Sequence, residues 1–325
     1  MDLRLAVHQF AVEHRLDARA KARLEHIAGL EAEPAALQRS LAIGVAVLAG
    51  ALLGLGLIFW IAANWDTLGR FGRFAVLQGT VLVMGLAAIW RANLRVPLAL
   101  VVLLATGGLF AYFGQTYQTG ADPWQLFALW AALALPLCLG QRSDVLWAPW
   151  VLVAMAAVSL WVHAHSGHRW SVRPDDLAVH LIGWTVALAI VVGTSALARA
   201  VTGAGVWALR TAATLTVVMI TLTALGGLFF DKVSAQYALG LLALLAAAWV
   251  FMSRRGFDVF GLSAAALGIN TLLVAGLVRV LFEGHQGANW IGLTLIIGLV
   301  AAGLLAATVN GVLKLARRHS AEENA

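Results

Sequence analysis

Charge is what this chain has least of. Only 12% of its 325 residues are Asp, Glu, Lys or Arg, where a soluble domain carries about 25%. That deficit places the chain in the membrane class rather than among soluble globules, and the net charge of +6 is better explained by membrane orientation than by nucleic acid, because the basic residues sit mostly at the ends of the apolar runs. Cysteine is scarcer still. Cys138 stands alone, so no internal disulfide can form, and no Cys-x-x-Cys or Cys/His cluster offers a metal. Nucleophile-elbow, zincin, P-loop and dinucleotide-binding patterns are missing as well, so no cofactor is expected. The opening "MDLRLAVHQFAVEHRLD" is charged and amphipathic, without the apolar core of a secretory signal. No ionisable residue of the four charged types falls at the centre of an apolar run, which argues against an ion-driven pump.

What is present is apolar length. Hydrophobic residues make up 61% of the chain. From Ser40 onward ten stretches approach the ~20 residues a helix needs to cross a ~30 Å hydrocarbon core. They fall at about 41–63, 72–91, 96–115, 123–140, 145–163, 178–199, 207–230, 235–253, 258–281 and 289–314. Only the fourth is read as carrying an interior proline, Pro136. Short polar joints separate them. The expected fold is all-α: a polytopic transmembrane helical bundle of about ten spans with a short N-terminal cytoplasmic helical stub. Residues 1–39 form the stub, two amphipathic helices, the second opening at Asp17 as N-cap. Residues 40–145 hold spans one to four, 146–316 hold spans five to ten, and 317–325 form a cytoplasmic tail.

Of the 22 Lys and Arg, sixteen fall on the side of the termini and six on the other. The positive-inside rule then puts both termini in the cytoplasm. The tails carry most of this bias, since the short loops alone divide seven to six. Trp65, Trp124, Trp170 and Trp290 fall near the expected outer surface, and Trp90, Trp147, Trp207 and Trp249 near the inner one, where an indole suits the boundary. Ala46, Gly50 and Gly54 make a ladder of small residues on the first span, which invites close approach of another helix.

Candidate functional residues cluster in two joints. In "TGADPWQLF", Asp122 reads as an N-cap, Pro123 as the first helical residue and Gln125 as the return partner of a capping box. Gln115, Tyr117 and Gln118 end the third span, and Asn64 and Asp66 leave the first on the same side. Spans joined so tightly are expected to be neighbours. These six polar side chains are therefore expected to converge at the mouth of a cleft among spans one to four, rimmed by Trp65 and Trp124. Three imidazoles, His163, His165 and His168, share the loop "HAHSGHRW". They are weak metal candidates, because no Cys, Asp or Glu lies among them and the spacing fits no structural zinc pattern. Asn270 in the ninth span is expected to join two helices rather than line a path. Five threonines in the seventh span are expected to return their hydroxyls to the preceding turn. Arg279 and Glu283 read as an exposed i,i+4 pair worth a few tenths of a kcal/mol. Arg199, Arg210, Arg254 and Arg255 read as surface anchors.

"IFWIAANWDTLGRFGRF" (58–74) and "FGQTYQTGADPWQLFALWAALALPLCLGQRSD" (113–144) resemble the bacterial predicted-membrane-protein family catalogued as domain of unknown function 2157. The likeness lies in the helical stub, the Asn-Trp near the end of the first span and the Gln-x-Tyr…Gly-x-Asp-Pro…Leu-Phe…Leu-Trp-Ala-Leu run, over about residues 1–145. It implies an integral membrane protein of the bacterial envelope and transfers no catalytic residue. The expected role is the binding or translocation of a small molecule or lipid-derived group through an outward-facing polar pocket. Its rivals are a membrane enzyme acting on an envelope lipid, with Asp66 or Asp122 as acid or base, and an assembly partner of other envelope proteins. Membrane lipid, a small-molecule ligand or an envelope protein are the expected partners.

Overall fold

The structure is a computed structural model, and it describes residues 3–28, 35–117, 120, 122–167, 171–253, 256–283 and 290–323. Among these residues it is helical, without a strand. Two short helices come first, α1 (Leu3–Glu13) and α2 (Ala18–Ile27). Ten long helices follow: α3 (Ala35–Ala63), α4 (Trp65–Trp90), α5 (Arg95–Tyr117), α6 (Pro123–Gln141), α7 (Asp144–His165), α8 (Leu177–Thr194), α10 (Val206–Leu228), α11 (Ala235–Met252), α12 (Val259–Glu283) and α13 (Trp290–Glu323). The four-residue α9 (Arg199–Thr202) lies between α8 and α10. The ten long helices are each apolar and long enough to cross a bilayer. Lipid leaves no other option for these runs, because every backbone polar group at that depth must be satisfied within its own helix. An even number of crossings puts α1, α2 and the end of α13 on one face of the bundle. That face is called terminal below and the opposite one distal.

Local sequence sets the ends. Asp17 caps α2 as expected, its carboxylate accepting from the Ala20 N–H at 2.7 Å. Between α3 and α4 the chain barely pauses. The expected eight-residue joint is mostly helix, broken inside α4 at Gly69, whose φ of 59° and ψ of 170° only glycine adopts without strain. Pro136 does lie inside α6, and α7 carries a second interior proline, Pro149, that the sequence reading passed over.

In lipid no hydrophobic force draws apolar helices together, so contact depends on how closely backbones approach. The small-residue ladder of α3 works this way. A Cβ at Gly50 would stand 2.9 Å from the Pro97 carbonyl oxygen, and one at Gly54 would stand 2.8 Å from a Leu104 methyl. Gly107 of α5 leaves room for the Trp130 ring, whose N–H donates to the Leu103 carbonyl at 3.0 Å. Consecutive helices are not always neighbours. α3 and α4 meet each other little, and both pack on α5. α10 is the hub, packed against α7, α8, α11 and α12, while α13 is held by α12 and buries none of its most apolar window. The largest buried cluster joins α5, α6, α7 and α10 around Leu103, Leu146, Trp147 and Val151. Trp147 is therefore no boundary anchor. It is 3% exposed and donates its N–H to the Thr202 carbonyl at 3.0 Å. Trp90, Trp207, Trp249 and Trp290 are exposed as boundary residues would be.

Candidate functional site

The polar residues singled out in the α3–α4 and α5–α6 joints sit on helix ends. The Asn64 amide donates to the Trp60 carbonyl of its own last turn at 2.9 Å. Gln115 and Asp122 are exposed. Asp122 holds the cap position, with extended φ and ψ before Pro123, yet its carboxylate makes no capping bond, so the expected capping box is not formed. Tyr117 joins an aromatic array instead, with ring centroids 4.8 Å from Phe113 and 6.0 Å from Phe74 and the Arg70 guanidinium 5.9 Å away. Beneath it Tyr112 is buried, and its hydroxyl donates to the Arg70 carbonyl at 3.1 Å. The array fixes the distal end of α4 against α5. Gln118 and the side chains of Trp65 and Asp66 lie outside the described residues. Trp124 faces away from spans one to three. It lines a 380 Å³ apolar cavity among α6, α7 and α8 and meets the His165 ring edge-on at 5.8 Å.

His163 and His165 end α7 rather than occupying a free loop. His165 stacks on Trp161 at 4.5 Å, with its Nδ1 2.9 Å from the Trp161 carbonyl oxygen. His168 lies outside the described residues. Among the described residues no three His, Cys, Asp or Glu side chains gather as metal ligands.

A cavity larger than the one beside Trp124 lies elsewhere, between α7, α8 and α10. It measures about 750 Å³, within the 300–1,000 Å³ usual for ligand sites. Its two ends differ. Toward the distal face it is lined by Ser159, His163, Ser166, Ser171, His180 and Thr223; deeper in, by Leu152, Met155, Leu215, Val218 and Met219. On α7 the lining runs from Leu152 to Ser166, on the order of 20 Å of helix axis. Leu152, Val218 and Leu222 on its rim are 53%, 46% and 62% exposed, so the groove opens sideways, toward lipid. Close packing forms its inner wall. A Cβ at Gly183 would stand 2.5 Å from a Val162 methyl and 2.8 Å from the Met219 methyl.

His180 is the exceptional residue of this groove. It is 5% exposed, and neither ring nitrogen has a hydrogen-bond partner. A buried polar group without a partner costs roughly 1–3 kcal/mol, so a native structure carries few of them. Asp176, one helical turn earlier, is itself buried and accepts the Gly167 N–H at 3.1 Å, which ties the α7–α8 connection to the start of α8. The sequence reading missed His180. The available signal was an imidazole standing inside the apolar run "LAVHLIGW".

Several other interior polar side chains make bonds that hold helices together, although the Trp184 N–H and the Gln236 carbonyl oxygen are also buried without a partner. Asn270 of α12 and Thr308 of α13 exchange hydrogen bonds at 3.0 and 3.3 Å, which is the joining role expected for Asn270. Thr211, Thr214 and Thr223 return their hydroxyls to the preceding turn, whereas Thr216 reaches across to the Ala187 carbonyl of α8 and the hydroxyl of Thr221 has no partner. The expectation for Arg279 is overturned. The side chain is 8% exposed, pairs with Glu283, and donates to the Phe230 and Asp231 carbonyls at 2.6 and 3.1 Å. It clamps the α10–α11 turn rather than decorating a surface. Arg199 donates to the Ala204 carbonyl at 3.0 Å, and Arg210 lies 3.9 Å from Asp258. Arg254 and Arg255 lie outside the described residues.

Ten apolar helices with ionic groups confined to their ends, and interior amides and hydroxyls bonded from helix to helix, define an integral membrane protein of the helical-bundle class. Residues 8–147 match the model of the family described as "Predicted membrane protein (DUF2157)", so over this stretch the chain is similar to that family. The matched region takes in the stub, α3 to α6 and the start of α7. Every residue that lines the α7–α8–α10 groove lies beyond it. No curated protein and no solved structure matches the chain.

Proposed function

We propose that this protein binds a lipid-derived amphiphile in the groove between α7, α8 and α10, which the ligand enters sideways from the bilayer. The carrying observation is the division of the groove into an apolar trough and a polar end, with His180 buried and unpartnered at the latter. A chain in the trough would cover lipid-facing apolar surface, and its head would give the imidazole a partner. The distal face is taken as periplasmic and the membrane as the bacterial inner membrane. The excess of Lys and Arg on the terminal side, sixteen against six of 22, supports this orientation. Reporter fusions at Gly167 and at the C-terminus test it. An external signal at the C-terminus would reverse it.

The test of binding is photolabelling in proteoliposomes, using a trace amount of a lipid with a diazirine near the end of its chain. Labels should concentrate on the α7 and α10 segments around Leu152 and Leu222. They should fall several-fold in Val218→Trp, where the indole fills the trough, while the melting temperature holds. Labels spread evenly over α3, α10 and α13, and unchanged in that variant, would refute the reading.

A further inference from the structure

The lipid-binding reading leaves the head group undefined, and the polar end of the groove defines it. Among the described residues its lining holds no Asp, Glu, Lys or Arg. A charged head would therefore find no counter-ion among the described lining residues. Burying an ion without one is the costliest outcome in an apolar site. Asp176, on the turn before His180, accepts the Gly167 N–H and is not among the residues that line the groove. The hydroxyls narrow the choice. Thr223 donates to the Met219 carbonyl at 2.8 Å and Ser166 to the His163 carbonyl at 3.3 Å. Their protons are committed, so toward the groove they offer oxygen lone pairs. Neutral imidazole offers one N–H and one acceptor nitrogen, and in His180 both are unused. The polar end is thus rich in acceptors, and in His180 it holds a buried side chain that can bond in both senses and has neither bond made. Carboxylates and ionised phosphates only accept. Hydroxyl and primary or secondary amide groups donate and accept.

We infer that the groove selects an uncharged head group bearing hydroxyl or amide donors, and that His180, 5% exposed and unpartnered in the groove, is the side chain that holds it. This rests on the lipid-binding reading. A monoacylglycerol is the simplest probe that meets the requirement. The head bonds through two of its hydroxyl groups, one accepting from the imidazole N–H and one donating to the other nitrogen, and the acyl chain follows the trough between α7 and α10. His180 is held where an interior polar group should be a liability. Replacing it with leucine, which removes the orphaned nitrogens, should therefore cost the empty protein no stability.

The experiment is competition in proteoliposomes against a photoreactive monoacylglycerol labelled at the chain terminus. The competitors are a monoacylglycerol, a fatty acid, an alkyl phosphate and an alkylamine of one chain length. The monoacylglycerol should compete at least tenfold better than the other three. His180→Leu should abolish that advantage with its melting temperature unchanged or raised. His180→Gln, which keeps a donor and an acceptor, should retain most of it. Equal competition by all four, or a best competitor that is charged, overturns the inference and leaves lipid binding in the groove standing. A His180→Leu variant that loses stability and keeps the preference also overturns it, because His180 would then be a packing residue. Failure of every probe to label α7 or α10 removes the lipid-binding reading itself.

Discussion

The α5–α6 joint and the α7–α8–α10 groove both interrupt an apolar chain with polar residues, and they do so in opposite ways. At the joint Gln115, Tyr117 and Asp122 sit at helix ends, exposed, so water or head groups satisfy them without help. In the groove a single imidazole lies below the surface with nothing to bond. The difference teaches that polarity alone does not mark a site in a membrane protein. What distinguishes one is polarity that the protein has buried and left unsatisfied. Interior groups that bond from one element to another, such as Arg279 and Asn270, form a third category, and there the bond itself is the role.

Substitutions ranked by expected effect test this division. Arg279→Met should be the most damaging, at about 3 kcal/mol, because it strips a charge-assisted bond from each of two carbonyls at the α10–α11 turn. Equilibrium unfolding in mixed micelles measures it, and a loss below 1 kcal/mol would return Arg279 to the surface. Asp144→Ala comes next, at about 2 kcal/mol. Its carboxylate accepts from the Gly205, Trp207 and Ala208 N–H groups at 2.9, 2.8 and 3.1 Å, and so caps α10 from another helix. A double-mutant cycle between Asn270 and Thr308 should give a coupling near 0.6 kcal/mol, the usual scale for such pairs in membranes. Zero coupling would mean that α13 docks on α12 by packing alone. Asp122→Ala should be the mildest, with no measurable change in melting temperature, since the side chain makes no capping bond. A loss as large as that of Asp144→Ala would show that the joint carries more than the structure assigns to it.

The two aspartates show how far the sequence could be read. Asp122 and Asp144 both stand at a helix start. The local pattern "GADPWQ" favours the first as the working cap, but only the folded bundle brings the α10 N-terminus to the second. Span positions were legible to within a few residues, because lipid forces each apolar run into a closed helix and the polar joints mark its ends. Neighbour relations were less so. Gly50 and Gly54 announced a close contact without naming α5 as its partner, and the short link between α3 and α4 suggested a closer pairing than they make, since both pack mainly on α5. Arg279 looked exposed because Glu283 was its only visible partner along the chain; its main acceptors lie some fifty residues earlier. His180 gave the faintest signal of all. One imidazole in an apolar run becomes conspicuous only once α7 and α10 close around it.

Native mass spectrometry of the protein released from the gentlest detergent that keeps it folded tests the central claim most directly, comparing the wild type with Val218→Trp and His180→Leu. The account predicts a bound lipid of an uncharged, hydroxyl- or amide-bearing class on the wild type, its loss from Val218→Trp, and an indiscriminate or empty His180→Leu. Identical lipid adducts on all three proteins would contradict it.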